Sequence, residues 1–274
     1  MEIFLIKLRR YSNKVRIYGA GNSLAVTAII VLTVLICSCG SKPSVDKDQA
    51  AMARADKLMH EKNYQGALKE YRSVFKHHNK NPRLYRSIAE CFENLGELDS
   101  AITYYEGAIV FRPTDSDAYQ RIGDIYYKRV MYHEAMTWYD RARDLGYLKP
   151  HSYVRLGDIH FRWREYDQAR EYYGLATTLD STNTDGFYGL GLTALAVQDT
   201  ALAIAYLRKA AEADHAGTAF ILGQLYFEKE DLDEAEKWFD ICLQLQPESG
   251  LALKAAEYKI RIDLLKQAGK AGAK

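Results

Sequence analysis

Small residues recur along this chain at a nearly constant interval, and that spacing restricts the possible folds more than any other feature. Ala55, Ala89, Gly123, Gly157, Gly191 and Gly223 are separated by 34, 34, 34, 34 and 32 residues. A second series, Ala67, Ala101, Ala135, Ala169, Ala203 and Ala235, keeps the same intervals. A fixed period in this range means stacked units of two helices each, in which every unit buries its apolar stripe against its neighbours.

The segment from Ser116 to Lys149 shows one unit. Tyr119, Ile122, Gly123 and Tyr126 mark one helical stripe, and Ala135, Tyr139 and Ala142 mark a second after a short polar turn. Where two helices cross closely, only a hydrogen or a methyl group fits, and larger side chains fill the space around the crossing. Glycine within a helix is disfavoured by roughly 1 kcal/mol. Four of them at equivalent positions therefore point to close packing. Four residues after each alanine of the second series stand Tyr71, Tyr105, Tyr139, Tyr173, Leu207 and Phe239, one turn on along the same face.

These residues resemble the tetratricopeptide repeat, in which a Trp-x2-Leu-Gly-x2-Tyr helix is followed by Ala-x3-Phe and then Pro. Residues 82–115 match best, with Tyr85, Ile88, Ala89, Phe92, Ala101, Tyr105, Ala108 and Pro113 in register. The resemblance implies an all-α, right-handed superhelical solenoid of six repeats, at 48–81, 82–115, 116–149, 150–183, 184–215 and 216–249. The fifth is two residues short near Asp214 to Ala219, so the next helix must start early. Residues 250–268 form one further helix with an apolar stripe at Leu253, Ala256, Ile260 and Leu264. Glu257 takes its small-residue position, so the helix reads as a polar cap, followed by a disordered tail at 269–274.

The amino terminus reads as an address. Lys7, Arg9, Arg10, Lys14 and Arg16 precede an apolar run from Leu24 to Cys39. As a helix that run would be about 24 Å long, short of a roughly 30 Å hydrocarbon core, which favours a secretory signal over residues 1–38. An uncleaved single-span anchor is the alternative. Leu35-Ile36-Cys37-Ser38-Cys39-Gly40 resembles a bacterial lipoprotein box, which implies lipidation of Cys39, a tether over 39–47 and a solenoid facing away from the cytoplasm. Gly40 after the cysteine favours the outer membrane by resemblance to enterobacterial sorting rules.

Formal net charge is +1, and the first 38 residues alone contribute +4. The remainder, at −3, lacks the basic face that nucleic acid requires. Cys91 and Cys242 belong to the second and sixth repeats, too far apart to bridge, and read as buried thiols. The seven histidines show no ligand spacing, and His160 falls on a packing stripe. No catalytic or metal-binding residue, cofactor or small-molecule substrate is expected, and the chain reads as not an enzyme.

Within the family the first helix of each repeat lines a concave groove. The resemblance places Tyr127, Phe161, Tyr188, Leu192, Leu195, Phe220 and Phe227 there, an apolar wall for an amphipathic or extended protein segment. The ninth positions of the first four repeats are acidic: Asp56, Glu90, Asp124 and Asp158. Arg121 and Arg155, each three residues before an acid, read as partners within the same helix. The layout is similar to that of type IV pilus pilotin and other envelope lipoproteins with this repeat. It implies a scaffold for secretion or pilus assembly, the alternatives being an adaptor for cell-wall hydrolases or a spacer without a specific ligand.

Overall fold

The computed structural model describes residues 43–146, 148–211, 216–246 and 250–272, which form thirteen helices and no strand. Cys39 and the signal segment lie outside them. Among the described residues no helix is long and apolar enough to cross a membrane. The chain divides into two compact units, residues 1–78 and 79–274.

In the first unit, α1 (Pro43–His60) packs on α2 (Tyr64–Phe75), with Ala55, Ala67 and Tyr71 buried at the crossing. The first helix begins at Pro43, inside the segment expected to be a tether. Proline lacks the N–H that a first helical residue leaves unpaired, and its fixed φ suits that position.

The second unit continues the alternation with α3 (Pro82–Asn94), α4 (Leu98–Phe111), α5 (Ser116–Lys128), α6 (Tyr132–Asp144), α7 (Pro150–Arg162), α8 (Tyr166–Leu179), α9 (Thr184–Ala196), α10 (Thr200–Ala210), α11 (Ala216–Glu228) and α12 (Leu232–Leu245). It ends with α13 (Gly250–Gly272), four residues longer than the sequence suggested, so residues 269–272 are helical rather than part of a disordered tail. Starts are local: Asn81, Asp115 and Asn183 each accept a backbone N–H of the following helix through the side chain. The early start also appears, since α11 begins 32 residues after α9, where α5, α7 and α9 each begin 34 residues after the first helix before them.

The expected close crossings are present. A methyl group on Gly123 would lie 2.7 Å from the Tyr139 ring, and one on Gly157 would lie 2.6 Å from Tyr173. Gly191 meets Leu207 at 2.6 Å and Gly223 meets Phe239 at 2.7 Å. Each glycine therefore touches the residue four beyond the alanine of its own second helix, which is why the two series share one period.

A second periodic feature lies in the hairpin turns. Lys62, Gly96, Val130, Arg164, Gln198 and Glu230 all have positive φ, between 59° and 80°. Each precedes a residue whose N–H donates five residues back, as Met131 does to the Tyr126 carbonyl at 3.0 Å, which closes a Schellman motif. Only one of the six is glycine, and Val130 is β-branched. Its side chain is 66 % exposed and has little packing to lose. Val130→Gly is therefore expected to raise stability by about 1 kcal/mol, and Gly96→Val to lower it comparably, read from denaturant midpoints at constant slope.

Candidate protein-interaction face

The ninth-position acids are built into the hairpins. Tyr71 donates to Asp56 at 2.6 Å, Tyr139 to Asp124 at 2.8 Å and Tyr173 to Asp158 at 2.7 Å. In every case the phenol follows the acid by fifteen residues. In the second repeat the longer Glu90 stands there, and Tyr105 instead donates to Glu93 at 3.0 Å. Where the second helix carries Leu207 or Phe239, with no hydroxyl, the ninth position is Leu192 or Gln224, with no carboxylate. A buried acceptor is kept only where a donor answers it.

Arg121 and Arg155 pair with the preceding first helix, which corrects the expectation of partners within their own helix. Arg155 reaches back to Asp124, not to Asp158, in a close ion pair. Lys128 and Arg121 reach Glu93 at 3.1 and 3.9 Å, Arg86 reaches Asp115 at 3.2 Å, and Lys149 reaches Asp117 at 2.6 Å. Consecutive first helices lie side by side, so residues about 30 apart in sequence face each other. The Lys149 ammonium beside Asp117 holds that carboxyl below the usual range, while burial pushes Glu90 up. His151, within 3.4 Å of Asp124, is pulled below the ordinary imidazole value by burial and by nearby Lys149 and Arg121.

Burial raises the phenols of Tyr105, Tyr139 and Tyr173 well above their ordinary value, and nearby carboxylates add to the effect in all three. A group whose pKa is higher folded than unfolded contributes stability that is complete below the unfolded value and declines as pH rises past it. Above about pH 10 the fold should therefore weaken steadily. These three phenols should ionise only as the helices melt, with part of the 295 nm tyrosinate signal coinciding with loss of the 222 nm helix signal.

The seven residues expected to line the groove fall into different settings. Phe161, Tyr188, Leu192 and Leu195 are half-buried on α7 and α9. Tyr127 is tied into the stack: its hydroxyl donates to Asp158 at 2.8 Å, and the Arg155 guanidinium lies 5.5 Å from its ring centre. Phe227 lies beneath the Tyr258 ring of α13, 5.2 Å away. Phe220 corrects the expectation of an open side chain, since it is 7 % exposed between Phe239 and Tyr258, at 5.8 and 6.0 Å. Tyr258, which sequence reasoning missed, stands one repeat length after Gln224 and accepts its amide at 3.1 Å. Of the seven, Phe220 is thus buried and the other six are half-buried, with Tyr188, Leu195 and Phe227 packed against one core cluster.

His160 is buried as expected, with Nδ1 2.6 Å from Glu165 and its ring stacked on Tyr172. Cys91 and Cys242 are buried and unbridged, and burial pushes the Cys91 thiol up to about 12. Among the described residues no group of three or more His, Cys, Asp or Glu side chains is arranged to hold a metal ion.

Stacked helix hairpins with one partly open apolar wall define a helical-repeat scaffold for protein–protein interaction. Models of the tetratricopeptide repeat match residues 58–122, 150–183 and 188–249, together more than half of the chain, which belongs to that family. No curated protein matches it. Among solved structures it is similar to pilF of Pseudomonas aeruginosa, with a TM-score of 0.67 and 18 % identity over 80 % of this chain and 100 % of that one. PilW, described as a widely conserved type IV pilus biogenesis factor, gives 0.63 and 17 % over 76 % and 98 %. YrrB, described as having an unusual peptide-binding site, gives 0.55 and 22 % over 68 % and 97 %.

Proposed function

We propose that this protein is a membrane-tethered scaffold for a cell-envelope assembly, gripping a partner's apolar segment on the first-helix wall of the fourth and fifth repeats. One observation carries the reading: Phe161, Leu192 and Leu195 stay half-buried on adjacent first helices, while Phe220 further along is buried against Phe239 and Tyr258. A partner side chain can cover the exposed edges of these residues as Tyr258 covers Phe220. The likeness in fold to pilF and PilW supports an assembly of the pilus or secretion kind, and the peptide-binding description of YrrB supports the mode of engagement. The lipoprotein-like box at Cys39 supports an anchor in the outer membrane, with the solenoid in the periplasm or at the surface.

The test is photocrosslinking from the position of Leu195 in full-length protein in its native membrane. Tyr188→Asp combined with Leu192→Asp is expected to reduce the crosslinked partner about 30-fold, the effect of losing a 2 kcal/mol hot spot, with helicity unchanged. A partner profile identical to that of the parent would defeat the groove assignment. Cys39→Ser separately tests the anchor and should move the protein to the soluble fraction.

A further inference from the structure

The last helix turns an apolar face outward. Its inner side is fixed: Ala252, Ala255 and Ile262 are buried, Tyr258 stacks on Phe239 at 4.9 Å, and Lys266 binds Asp233 and Glu236 of α12, both at 2.7 Å. Lys259 pairs closely with Asp240. The opposite side bears Leu253, Ile260, Leu264 and Leu265, exposed by 71, 61, 60 and 49 %. The sequence reading of this helix as a polar cap is therefore corrected.

The repeat explains where this face comes from. Leu253, Ala256, Glu257 and Ile260 stand one repeat length after Ala219, Leu222, Gly223 and Tyr226. In α11 those residues are buried, with Gly223 against Phe239 of its own second helix. In α13 the same face has no second helix over it among the described residues, and Glu257 at the crossing position prevents the close approach that glycine permits. A helix packed there would sit slightly further off than α12 sits from α11, and a cation on it would pair with the exposed Glu257.

We propose that the occupant is α13 of a second copy, paired antiparallel. Residues 253, 257, 260 and 264 follow the alternating spacing of a two-helix seam. They are also symmetric about the midpoint between Tyr258 and Lys259, as a twofold interface requires. Pairing about that midpoint sets Leu253 on Leu264 of the second copy and Glu257 beside Ile260 of the second copy, whose neighbour Arg261 supplies the cation. Arg261 is exposed, lies over its own Tyr258 ring at 5.6 Å and has no carboxylate within ion-pair distance among the described residues. A contact through one helix is smaller than the roughly 1,200 Å² of stable interfaces, so the dimer is weak and concentration-dependent.

Cysteine crosslinking in full-length protein in detergent tests this, with the parent chain as the control for its own cysteines. A mixture of Leu253→Cys and Leu264→Cys is expected to give a disulfide-linked dimer that Leu253→Cys alone does not. Adding Ile260→Glu, at an exposed position, should abolish the dimer without changing helicity. A dimer from Leu253→Cys alone would show parallel pairing and overturn the proposal. So would the absence of a band from the mixture, or a band that survives Ile260→Glu. The surface is separate from the groove, and the Tyr188→Asp, Leu192→Asp variant should crosslink here as the parent does.

Discussion

Asp124→Ala is expected to lower stability by about 3 to 5 kcal/mol, the cost of removing one partner of a buried charge pair. Asp124 is 2 % exposed and accepts the Tyr139 hydroxyl at 2.8 Å, with the Arg155 guanidinium close beside it. Without the carboxylate, both a buried phenol and a largely buried guanidinium lose their acceptor. Tyr139→Phe should cost only about 1 kcal/mol, because Asp124 keeps Arg155. The chain's own fifth repeat indicates how to reverse the larger loss, since Leu192 and Leu207 replace the acid and the phenol together. Asp124→Leu combined with Tyr139→Phe and Arg155→Leu should recover much of the loss, measured by urea unfolding of all the variants. A single Asp124→Ala change costing under 1 kcal/mol would remove the acid from any structural role.

Phe239→Ala should be comparably damaging, at about 3 to 5 kcal/mol. Its ring is fully buried, touches the backbone of α11 at Gly223, meets Phe220 and stacks on Tyr258. Truncation leaves a cavity that neither rigid neighbour can fill, and it also removes the platform on which α13 is seated. Hydrogen exchange should show α13 opening before the rest of the second unit. Uniform protection across that unit would show that the terminal helix is held by its lysine pairs alone.

The small-residue ladders were legible because close crossings impose composition directly: Gly123, Gly157, Gly191 and Gly223 each meet the residue assigned from spacing. The carboxylate–phenol links were present in the sequence as a matched change, with acid and tyrosine disappearing together after the fourth repeat. They went unread because helical spacing rules relate residues three or four apart, not fifteen. The ion pairs failed for the same reason, since Arg155 chooses between Asp158 on its own helix and Asp124 on the preceding first helix by distance in space. Phe220 and Tyr258 show a different limit: whether a groove position is open depends on what the following helix brings, and the pattern of one repeat does not contain that information. The outer face of α13 followed from the repeat pattern itself, once the absence of a covering helix among the described residues is known.

The fifteen-residue link between acid and phenol has a consequence for how such a chain grows and shrinks. Excision of residues 125–158 would place Asp124 fifteen positions before Tyr173, restoring the bond it had with Tyr139. An excision two residues longer or shorter would leave that carboxylate facing the wrong turn of the helix. Gain or loss of whole modules is thereby permitted and slippage within one is penalised, a proofreading of length by hydrogen bonding.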